Sequence, residues 1–188
     1  MSLGEGDAFG LGDNLVDNDR SPDRRKGGRL MDTAREFLRH TLATLAYRGG
    51  KIIKDVPDDF ATFRAGNGVR TPIELLAHLG DLVEWSSNMA QGNPAWNPAA
   101  PSTWSEDSER FFSALKHFDE YLASEGAIGA PIERLFQGPL ADALTHLGQL
   151  VMLRRIAGAP MRSENYYKAS VETGRVGPDQ NAPQYEFD

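Results

Sequence analysis

The sequence predicts an all-α fold, a four-helix bundle with extended N- and C-terminal arms. Three observations carry that prediction. Apolar residues recur at helical spacing in four segments, helix-capping residues bound those segments, and no stretch alternates convincingly as a strand. With 188 residues, 40% of them hydrophobic, the chain can bury one sizeable core, so a single domain is expected over residues 31–188, with a C-terminal arm from about residue 160.

Residues 1–30, "MSLGEGDAFGLGDNLVDNDRSPDRRKGGRL", are rich in glycine and charge, show no apolar period, and read as a flexible tail. The first helix is expected over residues 33–54. Thr33 and Glu36 stand at capping-box spacing, and Phe37, Leu38, Leu42, Leu45 and Ala46 follow at helical intervals. "TPIE" opens the second helix, with Thr71 as N-cap, Pro72 in the first turn and Glu74 closing a capping box, and Gly92 ends it. The third starts at Thr103 with Glu106 in the same relation, and presents Phe111, Phe112, Leu115, Phe118 and Leu122. The fourth is expected from Pro139 to Arg154 and Arg155, before Gly158 and Pro160.

The connections suggest the topology. Residues 93–103, rich in proline and asparagine, are long enough to run along the bundle, which would make the second and third helices parallel. Beyond Pro160 the chain has turn signals and no amphipathic period. An extended arm is expected there, anchored by Tyr166, Tyr167, Tyr185 and Phe187.

Composition excludes several functions. The formal net charge is −7, which argues against nucleic-acid or anionic-membrane partners, since phosphate binding needs a basic surface. No cysteine is present, so disulfides, thiolate ligands and a cysteine nucleophile are all ruled out. No apolar run approaches a membrane span and no signal-peptide pattern opens the chain, so a cytoplasmic location is expected.

One motif recurs. "LAHLGDLVEW" at residues 76–85 and "LTHLGQLVML" at residues 144–153 both carry His-Leu-Gly inside an expected helix, where histidine and glycine are poor choices for packing alone. At about 100° per residue, Asp142 falls about 40° from His146, one turn earlier and within the apolar arc. His78 shares its face with Leu75, Leu82, Trp85 and Met89. A buried Asp142 would need compensation. A protonated histidine or an arginine could supply it, and so could a divalent ion held by His78, Asp142 and His146. Two imidazoles and a carboxylate suit zinc, nickel or iron(II) and leave coordination positions open. Gly80 and Gly148 point away from the histidines, where they would allow close approach of another helix or of the arm.

Four residues are expected around those ligands. Gln149 lies near His146 and could orient it, Glu74 and Asp81 flank His78, and Trp85 stands two turns beyond it on the same face, at the pocket mouth. Arg154 and Arg155 would complement the helix C-terminus, or clamp an anionic substrate.

"TPIELLAHLGDLVEW" and "GPLADALTHLGQLVMLRRIAGAPMRSENYYKASVETGRVG" resemble helices two and four of the DinB-like (DinB/YfiT) metalloenzyme superfamily. The specific part is a histidine on helix two and a pair four residues apart on helix four ending in "H-x-G-Q". The resemblance implies a four-helix bundle with a long connection between helices two and three, a homodimer, and a divalent metal at the positions of His78, Asp142 and His146. Most of the family has histidine where this chain has Asp142, and aspartate there lowers the Lewis acidity of the site. The implied activity is metal-dependent. An ion activates a low-molecular-weight thiol cosubstrate for transfer to a small-molecule electrophile, or activates water in a hydrolase. A non-catalytic, dimerising bundle that binds a metal or ligand is the other expectation.

Overall fold

The structure, a computed structural model, describes residues 22–187, with side chains from residue 31 onward. Four long helical limbs form the bundle. They are α1 (Pro22–Ile53), α2 (Pro72–Ala90), α3 (Trp104–Ala123) and a fourth made of α4 (Ile132–Leu135), a wide π turn (Phe136–Leu140) and α5 (Ala141–Ile156). A short 3-10 turn, Phe60–Thr62, lies between α1 and α2.

Side-chain pairings fix the directions. Gly49 meets Phe111, and Arg39 pairs with Asp119 at 3.0 Å, so α1 and α3 are antiparallel. Arg110 reaches Asp81 and Ala77 while Tyr121 reaches the carbonyl of Ala90, so α2 and α3 are parallel, as the long connection predicts. Phe37 packs on Phe136 and Arg154 on the end of α1, which sets the fourth limb parallel to α1. The core between them is a continuous cluster in which Leu38, Leu42, Leu45, Leu75, Leu79, Phe111, Leu115 and Phe118 are all buried.

The capping boxes of α2 and α3 form where the sequence puts them. The Thr71 backbone N–H donates to Glu74 Oε2 at 2.7 Å, and Glu106 N–H donates to Thr103 Oγ1 at 3.2 Å. The two other starts differ from expectation. Helix α1 begins at Pro22, not Thr33, so residues 22–30 are helix where the sequence suggested tail; residues 1–21 lie outside the described residues. Proline suits the first position of a helix, and the charged residues after it propagate one despite two glycines. The fourth limb starts seven residues before Pro139. It leaves helical geometry at Gly138 (φ −87, ψ −105), so Pro139 opens the second half after a kink.

Arg154 is a structural residue and not an anion clamp. Buried in the core, it donates to the carbonyls of Ile52 and Lys54 at 2.8 and 2.9 Å, of Asp55 at 3.2 Å, and of Ala159 at 2.9 Å. It thereby serves the carbonyls that the end of α1 leaves without helical partners. The exposed Arg155 touches Ser163.

The C-terminal arm lies along the bundle. It is tied by an antiparallel pair of two-residue strands, β1 (Ser163–Glu164) and β2 (Glu186–Phe187), too short for any alternation to show in the sequence. Of the expected aromatic anchors only Tyr166 serves, edge-on to Tyr47 and beneath Arg48. Tyr167 is 97% exposed, and Tyr185 and Phe187 are also exposed. Buried Val176 and Glu164 hold the arm instead, Glu164 accepting from Tyr47 at 2.7 Å and pairing with Lys51 at 3.0 Å.

The two glycines of the repeat part company. A Cβ on Gly80 would stand 2.9 Å from the Arg110 guanidinium, so this glycine admits the side chain that ties α2 to α3. A Cβ on Gly148 would meet nothing within 4 Å, and the close helix approach expected there does not occur.

Candidate metal centre

The capping box at Thr71 sets the start of α2 and places His78 two turns in, on the side facing α5. The kink at Gly138 sets the start of α5, with Asp142 in its first turn and His146 one turn on. One ligand atom from each of His78, Asp142 and His146 lies within 4.8 Å of the others. The imidazoles stand edge to face, with centroids 4.8 Å apart and planes at 75°.

The spacing admits both expectations for this trio, an ion pair with a protonated histidine and a shared divalent ion. Asp142 Oδ1 is 3.4 Å from His146 Nε2, and Asp142 Oδ2 is 4.0 Å from His78 Nε2. Both exceed the range of an N–H···O hydrogen bond. Two ligand atoms at about 2.1 Å from one ion stand about 3.4 Å apart at a tetrahedral angle. The Asp142–His146 separation already has that value, and the remaining ligand atoms, all within 4.8 Å of one another, would draw in by about 1 Å around an ion. The donor set therefore fits a divalent ion.

Asp142 is not buried, contrary to its place on the helical wheel. Its side chain is 48% exposed, against 19% for His78 and 12% for His146. Asp142 stands half-exposed in the first turn after the kink, and the trio lines an open pocket. That pocket holds about 800 Å³. Leu75, Val69, Met152, Leu153 and Ile156 give it an apolar wall, and Arg70 stands at its edge. Arg70 makes no hydrogen bond or ion pair among the described residues.

Gln149 sits where the sequence places it, its Oε1 3.0 Å from His146 Nδ1. Accepting the Nδ1 proton there directs the lone pair of Nε2 toward Asp142 and His78. The other three expected neighbours do not line the pocket. Glu74 caps α2 through Thr71. Asp81 is buried in an ion pair with Arg110 at 2.8 Å and accepts from the backbone of Ala99 at 3.1 Å; its charge is the smallest of the influences on His78. Trp85 donates to the Pro94 carbonyl at 3.2 Å and packs on Trp96.

Trp96 is the aromatic that meets His78, edge-on at 5.8 Å. It comes from the connection between α2 and α3, as Val69 and Arg70 come from the loop before α2. Loop residues obey no helical period, so wheel positions could not assign them. The only available signal for Trp96 was a large aromatic in a proline-rich stretch. The two other histidines, His40 and His117, are exposed on α1 and α3.

Burial holds His78 below the ordinary imidazole pKa of 6.5, and the charges of Arg70 and His146 push the same way against Asp142 and Asp81. The ligand thus stays neutral at physiological pH. For the ion-free protein the sign follows. As pH falls below 6.5 the unfolded chain protonates His78 before the folded one does, so stability declines until pH passes the folded value and is level below it. Thermal melts of ion-free protein between pH 7.5 and 5 are expected to show this decline, and a shallower one in His78→Gln; parallel curves would remove His78 as the cause.

Comparison with protein families, with curated proteins and with solved structures returns no match. Among the described residues, no helix is long and apolar enough to cross a membrane.

Proposed function

We propose that the protein is a metal-dependent enzyme acting on a small molecule, of the thiol-transferase type implied by its resemblance to the DinB-like superfamily. The observation that carries this reading is the convergence of His78, Asp142 and His146, from two helices, at a spacing that fits an ion and is too wide for hydrogen bonds. Zinc, nickel or iron(II) all suit two imidazoles and a carboxylate. When bound, such an ion lowers the pKa of a thiol or water at its open position and so yields a nucleophile near neutral pH.

The chain's own residues prepare the site. Gln149 fixes the tautomer of His146, burial keeps His78 unprotonated, and Trp96 holds the His78 ring by its edge. Val69, Met152, Leu153 and Ile156 offer an apolar wall to the carbon skeleton of an electrophile, and Arg70 attracts an anionic group. With no cysteine in the chain, the thiol must arrive as cosubstrate.

One observation favours a second reading. Val69, Met152 and Ile156 are 46, 54 and 56% exposed around the pocket mouth, which also suits a non-catalytic module that docks a partner or a second copy. The ion-loaded protein should be incubated with a panel of low-molecular-weight thiols and 1-chloro-2,4-dinitrobenzene, following free thiol and adduct. Protein-dependent thiol loss that disappears in His78→Ala is expected. Loss of electrophile without thiol consumption would point to hydrolysis by the same ligands. No turnover with the ion bound would favour the docking module.

A further inference from the structure

The second glycine of the repeat has no role in the bundle. Gly148 is exposed on α5, and a Cβ added there would meet nothing within 4 Å. Glycine weakens a helix interior relative to alanine, and its compensating use is to let another group come close to the backbone. Gly148 forms part of the wall of a second cavity, of about 290 Å³, bounded by α1, α5 and the C-terminal arm. None of the three metal ligands lines it.

The walls of this cavity divide by chemistry. Leu144, Leu147, Val151 and Met161 are apolar, and Arg48, Arg155 and Arg162 bring three guanidiniums together in a chain whose net charge is −7. Arg48 lies 4.1 Å from the centroid of Tyr166, and its Nε is buried without a hydrogen-bond partner among the described residues. Arg155 makes one long contact, 3.4 Å, to Ser163 Oγ. Two acids bear on the site: Glu164 is itself in the wall, and Glu186 pairs with one of the three guanidiniums. Glu164 takes the Tyr47 hydroxyl and Lys51, while Glu186 takes Lys51 at 2.6 Å and Arg162 at 3.6 Å.

We propose that this cavity binds a small molecule with an oxyanion, phosphate or carboxylate, on a short apolar body, Arg48 and Arg155 gripping the anion and Gly148 admitting the body. Guanidinium forks match the paired oxygens of either group. The apolar wall takes the rest of the ligand.

The test uses the full ion-free chain with phenyl phosphate, benzoate and, as an uncharged control, benzyl alcohol, read by thermal shift and calorimetry at fixed ionic strength. At ten times its dissociation constant a bound anion is expected to raise the melting temperature by about 3–5 °C, and benzyl alcohol should do nothing. The rise should vanish in Arg155→Ala and in Gly148→Leu, whose circular dichroism and own melting point establish that each is folded. It should persist in His78→Ala, which separates this site from the metal centre and from the function proposed for it. A larger response to phenyl phosphate assigns a phosphate ligand, and a larger response to benzoate a carboxylate. No rise with either anion, an equal rise with benzyl alcohol, or rises undiminished in both cavity variants would overturn the proposal.

Discussion

Protein purified without an affinity metal and incubated with zinc, nickel or iron(II) is expected to hold about one ion per chain, and His78→Ala or His146→Ala to hold almost none. Each substitution leaves two of three protein ligands, and in both cases those left are only one imidazole and one exposed carboxylate. The loss of affinity should exceed the 10–100-fold typical of removing a group that merely orients a ligand. Gln149→Ala supplies that lesser case, because it frees the His146 ring without removing a donor. Asp142→Asn keeps an oxygen but not its charge and should fall between them. Elemental mass spectrometry gives the stoichiometry, and competition with a chelator gives the order of the variants. An empty wild type after all three incubations would eliminate the centre, and an ion retained in the His78→Ala/His146→Ala double variant would place it elsewhere.

Arg110→Ala is expected to cost about 3–5 kcal/mol, because it strands two buried carboxylates. Asp81 and Asp107 are 5 and 3% exposed, and the Arg110 guanidinium lies 2.8 Å from the first and 3.5 Å from the second. The longer contact is an ion pair without a hydrogen bond, since Arg110 Nε has no hydrogen-bond partner. Both acids also accept backbone N–H groups of the connection between α2 and α3, Asp81 from Ala99 and Asp107 from Ser102. The substitution therefore loosens the segment that carries Trp96 to His78 as well as the seam between two helices. A melting temperature lower by roughly 10 °C or more is expected for a chain of this size. In Arg110→Met/Asp81→Asn the second change should restore part of the loss, because one stranded charge is gone. A drop of only 1–2 °C in Arg110→Ala would show that water reaches the acids and that the cluster is not sealed.

The parts of this fold that could be read in advance are those with local causes. Thr71–Glu74 and Thr103–Glu106 are self-contained hydrogen-bonding units, so they fixed the starts of α2 and α3 from four residues each. The parallel course of those helices followed from the length of the chain between them. His78, Asp142 and His146 were recognisable because two share a turn and the third recurs in a repeat. Tertiary causes stayed hidden. Glu74 and Asp81 lie near His78 on a wheel, yet one is drawn to an N-cap and the other to an arginine from α3, a partner no single-helix projection contains. Asp142 is exposed in the first turn after a kink at Gly138, where the sequence showed only a glycine before a proline.

The contact between the two imidazoles joins places 68 positions apart in the chain, and α3, the long connection and α4 all lie inside the loop they close. With an ion between them, that contact is a removable cross-link: the loop cannot open until the ion lets go of one helix. At a free concentration a hundred times the dissociation constant, such an ion adds about 2.7 kcal/mol to folding. A change of that order can alter the abundance of a protein several-fold in a cell, where unfolded chains are continually degraded. Metal supply would then govern how many copies survive as well as how many are competent, and starvation for the ion would clear the idle protein instead of storing it.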